Sequence, residues 1–369
     1  MKSLHFIFIF TLISCSYFEK DNEVKETYNY KDTIRERYEH FKDIGTNYLH
    51  DGFHGVGDAA IFTCIRNLAN ASDVDVGSFH INGKIVRHPI YKDETKKGPS
   101  ATPTSRDMGL GAAICVYALS LKDKDKALEH IEEIIKYGRD HTKFKVWNFC
   151  DDNDMDLYDI DDKTFVGRCI FSPELSSLFY DLATSIGYDC DLRCQASRKL
   201  IPQIPSNMTG FQRHLQAWSI FLKGRIDGSI NDYQLSFLKK FRDAEPRNAL
   251  YEAMYQSYKD GDMGRATELL WDDSLFRKDG TVGFCSDYLF QRDERRNEDL
   301  DVFIENDESC IKYYHADTKE LTKECGVHFK GETKVKKFVY NDDWLPCDKI
   351  SNTPLTEWVI TAAIILGDI

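Results

Sequence analysis

Apolar residues recur along most of the chain at the i, i+3, i+4 spacing of helices, in segments parted by turn-rich loops, and strict alternation is scarce until the last quarter. Residues 56–68, "VGDAAIFTCIRNL", predict one helix; residues 107–121, "DMGLGAAICVYALSL", predict another that is apolar nearly all round and therefore buried on most sides. "DKDKALEHIEEIIKYG" sets Ala127, Leu128, Ile131, Ile134 and Ile135 on one stripe, the pattern of a surface amphipathic helix, with Gly138 placed to end it. "SPELSSLFYDLATSIG" opens with Ser172 as N-cap and Pro173 at the first helical position, and closes at Gly187. "GFQRHLQAWSIFLKG", "NDYQLSFLKKFRDA", "RNALYEAMYQSYKDGD", "MGRATELLWD" and "TPLTEWVITAAIILGD" continue the series, the last starting at Thr353 before Pro354 and too short to span a bilayer.

Two stretches break this helical rhythm. Around residues 147–169 the chain concentrates seven aspartates between Cys150 and Cys169; around 287–349 it is charged, carries three cysteines and includes "HFKG" and "KKFVY", which could pair as strands. Long excursions from a compact body are usually functional or braced, so both are places to expect a lid or a cleft wall. The first fourteen residues, "MKSLHFIFIFTLIS", carry one lysine and then an apolar run too short for a mature membrane helix, which reads as an export signal. Residues 16–33 are polar without sustained periodicity, as expected of a tether, and the folded body is expected as one helical domain over 34–369.

Composition narrows the partners. A net charge of −13 with a pI near 5.4, and no run of Lys and Arg, leaves no electrostatic footprint for nucleic acid. Eleven cysteines fit a chain bound for an oxidising space, where ten would remain for disulfides if Cys15 is modified. Local spacing suggests Cys190 with Cys194, Cys310 with Cys325 and Cys150 with Cys169; Cys64 and Cys115 lie in apolar runs and either pair with each other or stay reduced.

The run ending in "LISC", Leu12 to Cys15, resembles the lipobox of bacterial lipoproteins, which implies a signal peptide over 1–14 and a lipidated Cys15. Ser16, where an aspartate would retain such a protein at the inner membrane, implies an outer-membrane location in the cell envelope. Segments of dominant apolar character near residues 62, 115, 178, 218, 254 and 361 resemble the inner helices of an (α/α)6 toroid, although the outer helices are less evident and an incomplete ring remains an alternative. "TSRDMGLG" is similar to inner-helix starts of some six-hairpin glycan-active enzymes, where an arginine grips a carboxylate or hydroxyl and an aspartate acts as acid or base. A single stretch, "RNALYEAMYQSYKDGDMGRATELL", also looks like a tetratricopeptide hairpin, but no repeat follows it.

Successive inner helices of such a toroid start at one face, which would bring residues 51–58 and 104–107 together. "HDGFHGVGD" surrounds a helix start with Asp51, His54 and Asp58, and its glycines favour an ordered turn. Two carboxylates across a cleft are what glycoside hydrolysis requires, one protonated and one ionised. The expectation is therefore a glycoside hydrolase acting on polysaccharide or cell-wall glycan, with Asp51, Asp58 and Asp107 as candidate acids and His54, Arg106 and Glu174 as substrate-positioning groups. A lyase would use His54 near Arg106. The competing expectation is a non-enzymatic surface lipoprotein that binds a glycan or partner protein, with Asp58, Asp107 or Ser105 as simple helix caps.

Other chemistries find less support. His50, His54 and Asp58 have helical ligand spacing, but the glycines between them undermine that helix. Asp152, Asp154 and Asp156 imitate an EF-hand start, yet Leu157 and Lys163 occupy its required glycine and glutamate positions. No metal site is assigned, no phosphate-loop or dinucleotide motif is present, and nothing demands a cofactor. Trp147, Trp218, Trp271, Trp344 and Trp358 would suit sugar-stacking platforms, although aromatics on apolar helices are mostly core.

Overall fold

A computed structural model describes residues 30–42, 59–92, 104–143, 146–150, 169–197, 210–245, 248–271, 300–307, 310–315, 321–324 and 352–369. It is mainly helical. In chain order the helices are α1 (Tyr30–Lys42), α2 (Ala59–Leu68), α3 (Arg106–Ser120), α4 (Lys124–Asp140), α5 (Pro173–Ser185), α6 (Leu192–Ser197), α7 (Gly210–Asp227), α8 (Asp232–Ala244), α9 (Ala249–Lys259), α10 (Gly264–Trp271) and α11 (Asn352–Leu366). Their starts follow local chemistry: Asp123, Ser172, Asn231 and Asn248 each accept a backbone N–H of the first turn, and Asn231 forms a reciprocal capping box with Gln234. Helix α1 begins inside the expected tether, held by the buried side chains of Ile34 and Tyr38.

Six helices pack in a closed circuit: α2 on α3, α3 on α5, α5 on α7, α7 on α9, α9 on α11 and α11 back on α2. They contain the six apolar segments seen in the sequence. Their pairing is parallel wherever two levels can be compared. Ile61 backs onto Gly111 and Cys64 bonds Cys115; Arg213 meets Glu245 while Tyr258 donates to the Phe221 carbonyl. Helices α4, α8 and α10 pack between successive members from outside, and α6 packs on α5. Between α2 and α3 the chain instead makes two short 3-10 turns and a hairpin, β1 (His80–Ile81) with β2 (Lys84–Ile85). Asn82 and Gly83, both at positive φ, form its two-residue turn.

The core lies inside and between these helices. Phe62, Ile114, Phe179, Phe221, Met254 and Trp358 are fully buried, each contributing on the order of 1.5–3 kcal/mol relative to exposure. Trp147, Trp218 and Trp358 are buried in the same core, so they are packing residues and not sugar platforms; the side chains of Trp271 and Trp344 fall outside the described residues. Gly138 does not end α4 as expected. The helix continues to Asp140, and a Cβ at Gly138 would stand 2.5 Å from the Trp147 ring, so the glycine serves close packing. Gly187 has the expected role, closing α5 at φ +105°.

A second hairpin, β3 (Thr142–Lys143) with β4 (Val146–Trp147), leads to the Asp-rich stretch, whose two ends are joined by Cys150–Cys169. Cys190–Cys194 is the third disulfide among the described residues. In the last quarter, β5 (Leu300–Asp307), β6 (Cys310–His315) and β7 (Leu321–Glu324) form an antiparallel sheet; "HFKG", "KKFVY" and Cys325 lie outside the described residues.

Candidate active site

The starts of α2, α3 and α5 sit side by side, and two glycines allow it. A Cβ at Gly111 would stand 2.7 Å from the Ile61 backbone, and one at Gly109 would enter the Phe171 ring and meet the Leu175 side chain at 3.0 Å. The connections leaving the far ends of the circuit helices are short turns, such as 121–123 after α3 and 228–231 after α7, whereas long stretches of chain lead into the starts of α2, α3, α5, α7 and α11. Function usually gathers where a rigid scaffold presents long loops. We call this side the start face.

Two of the candidate carboxylates lie on it. Asp107, in the first turn of α3, is 7% exposed and accepts a hydrogen bond from the Ser105 hydroxyl. Ser105 occupies the N-cap position but makes no side-chain cap to the helix, so the simple capping role fails for it. Arg106 is exposed at the same helix start, available to solvent and to any ligand there. Glu174 is half-buried in the first turn of α5, one residue beyond Pro173, where the helix dipole favours an anion. Asp51, His54, Asp58 and the proposed lipidation residue Cys15 lie outside the described residues, as do the EF-hand-like aspartates.

The structure adds a buried polar centre under the starts of α7, α9 and α11. His214 Nδ1 approaches Glu357 Oε1 at 3.1 Å, both side chains fully buried. Next to them Arg213 donates to Glu245 Oε1 at 2.9 Å, and Asn248 Nδ2 donates to Glu245 Oε2 at 3.2 Å. Burial pushes the His214 imidazole down to about 3, so it is neutral at ordinary pH. Burial, with Glu245 and Glu357 adding to it and Arg213 opposing, pushes the Tyr251 hydroxyl well above its ordinary value. These groups join three circuit helices by paired polar contacts, which is how charge survives inside a core. Comparisons with protein families, with curated proteins and with solved structures find no match for this chain.

The polar centre was legible in part. Arg213 and His214 open "GFQRHLQAWS", and Glu357 interrupts the otherwise apolar "TEWVITAAIIL"; a charge on an apolar helix calls for a buried partner, but the sequence does not say which one.

A third cluster lies on the outer side, against α4. Gly83 N–H donates to His80 Nδ1, so a neutral His80 carries its proton on Nε2, which faces His130 Nδ1 at 2.9 Å. His130 Nε2 then stands 3.3 Å from Asp75 Oδ1, and Lys126 pairs with the same carboxylate. Burial, with repulsion from His130 and Lys92, lowers His80 to about 4 against an opposing pull from Asp75. Among the described residues no group of three or more His, Cys, Asp or Glu could hold a metal ion, and no helix is long and apolar enough to cross a membrane.

Proposed function

We propose that this protein is an exported, lipid-anchored glycan-active enzyme of the (α/α)6 toroid type, held in the bacterial cell envelope, and that it cleaves polysaccharide or cell-wall glycan at the start face, by hydrolysis ahead of elimination. The observation that carries the reading is the closed circuit of helices whose starts lie together, with the near-buried carboxylate of Asp107 at one of them. Glycosidic bonds need one carboxyl group to protonate the leaving oxygen and a second, ionised, as base or nucleophile. Asp107 supplies one; its partner is Asp51, Asp58 or Glu174. The exposed guanidinium of Arg106 would hold a substrate carboxylate or hydroxyl beside them.

The experiment is release of new reducing or unsaturated ends from a panel of bacterial and host polysaccharides, peptidoglycan included, by the mature chain with its disulfides formed. Product formation that drops about a hundredfold or more in a folded Asp107→Asn variant supports the reading. Unsaturated ends would assign a lyase. Silence across the panel together with tight binding to one member would replace the enzyme with a glycan-binding lipoprotein.

A further inference from the structure

The chain leaves α1 toward its N-terminus on the side opposite the start face. Tyr38 donates to the Ala69 carbonyl at 2.7 Å and Arg66 donates to the Lys42 carbonyl at 3.0 Å, so α1 runs antiparallel to α2. Arg35 reaches the Leu366 carbonyl and Asp368, just past the end of α11. Tyr30 therefore projects beyond the ends of the circuit helices, and residues 16–29, fourteen in number, continue from there toward Cys15.

The large hydrophobic side chains exposed among the described residues share this side. Leu121, 63% exposed, follows α3 directly; Leu192, 82% exposed, opens α6 after the turn that leaves α5; Tyr233, 48% exposed, stands in the first turn of α8 after the turn that leaves α7. Cys194 Sγ lies 3.9 Å from the Thr184 hydroxyl, which keeps the start of α6 beside the last turn of α5. Single exposed hydrophobics need no explanation, but their restriction to the side from which the N-terminal segment departs points to a surface waiting there.

We infer that this end face, through Leu121, Leu192 and Tyr233, lies against a phospholipid bilayer, and that the start face is thereby turned away from the membrane toward polymeric substrate. The inference rests on the lipid-anchor reading of Cys15. Fourteen residues reach at most ~50 Å, so an anchor at Cys15 confines the start of α1, and with it the end face, to the neighbourhood of the lipid. Helix α3, at 15 residues, holds the start face a further ~22 Å out. The net charge of −13 offers no attraction to anionic lipid, which leaves apolar contact and the tether as the forces that set orientation.

The test uses the full lipidated chain in vesicles of phosphatidylethanolamine and phosphatidylglycerol, with the photo-crosslinking residue p-benzoylphenylalanine placed in turn at positions 121, 192 and 233 on the end face and at 106 and 174 on the start face. Mass analysis reads Cys15 and the adducts separately. Lipid adducts on the order of tenfold more frequent at 121, 192 and 233 than at 106 and 174 are the expected result. Lipid on Cys15 with adducts equal on both faces, absent, or replaced at 121, 192 and 233 by cross-links to a second copy or another protein overturns the docking face and leaves the anchor standing. A Cys15 without lipid overturns the anchor and this inference with it.

Discussion

Removing the Cys64–Cys115 disulfide should cost more stability than removing either of the other two among the described residues, and the size of the difference follows from chain connectivity. The bond closes a loop of sequence separation 51, Cys150–Cys169 one of 19 and Cys190–Cys194 one of 4. Loop-closure entropy of the unfolded chain then gives about 4, about 3 and about 2 kcal/mol respectively. Cys64 and Cys115 also join two helices whose backbones touch at Ile61 and Gly111, and both sulfurs are buried, so alanine leaves a small cavity besides. The measurement is urea unfolding, without reductant, of Cys64→Ala/Cys115→Ala, Cys150→Ala/Cys169→Ala and Cys190→Ala/Cys194→Ala against the parent chain. Circular dichroism and tryptophan fluorescence should give coincident transitions if a single free energy is to be read. A Cys64/Cys115 variant losing less than about 1 kcal/mol, or less than the Cys190/Cys194 variant, would refute the reasoning that the α2–α3 seam is fixed by this crosslink.

Gly111→Leu should destabilise by about 3 kcal/mol or more, because its Cβ would stand 2.7 Å from backbone that cannot rotate away; a thermal midpoint within a degree of the parent would contradict that close approach. The His80 pKa of about 4 lies below the ordinary value of 6.5, so the folded state binds fewer protons than the unfolded chain between those values. Its contribution is intact above pH 6.5 and is lost as pH falls toward 4, up to ~3 kcal/mol, and His80→Asn should flatten the fall of unfolding free energy in that window by about one proton; an unchanged slope sinks the assignment, the remaining slope belonging to groups such as His214. Glu357→Leu should cost about 1–3 kcal/mol by removing the buried carboxylate that faces the neutral imidazole of His214, whereas His214→Leu/Glu357→Leu should recover part of that; strictly additive losses in this double-mutant cycle would show that the pair does not interact.

Helix existence was readable because it depends on spacing and caps within a few residues of each other. Ser172, Pro173 and Gly187 mark α5 without any tertiary information, and Asn231 and Asn248 do the same for α8 and α9. What escaped reading depends on neighbours distant in sequence. Gly138 looks like a terminator until the Trp147 ring is seen against it, and Gly224, at the end of the "FLKG" pattern, is spanned by α7 because Tyr258 packs where a Cβ would go. The hairpin at His80 to Ile85 is too short for alternation to register, although Asn82-Gly83 is the local signal for its turn. Of the candidate site, the placement of Asp107, Arg106 and Glu174 at helix starts was reachable from the sequence, because caps and spacing are local. His214 and Glu357 stand out in the sequence as polar residues on apolar helices, but their pairing, and the surroundings of Tyr251, arise only where three helices meet.

The two sides of the helix circuit differ in a way that ties these observations together. On the end face, short turns, a terminal helix and isolated hydrophobic residues leave little room for chemistry. On the start face, glycines draw helix starts within backbone contact, Asp107 and Glu174 stand in the first turns of α3 and α5, and long connections arrive from the rest of the chain. The start of α7 is tied to α11 by His214 and Glu357 and, through Arg213, Glu245 at the end of α8 and Asn248, to the N-cap of α9, so their relative positions are fixed before any ligand comes. The starts of α2 and α3 are fixed instead by Cys64–Cys115 and the Gly111 contact. A site that must hold a carboxylate such as Asp107 in register with a partner on another helix needs that kind of support, because an error of about an ångström costs orders of magnitude in rate. The buried polar centre and the α2–α3 disulfide therefore act as complementary braces, one on each side of the face where Asp107 stands.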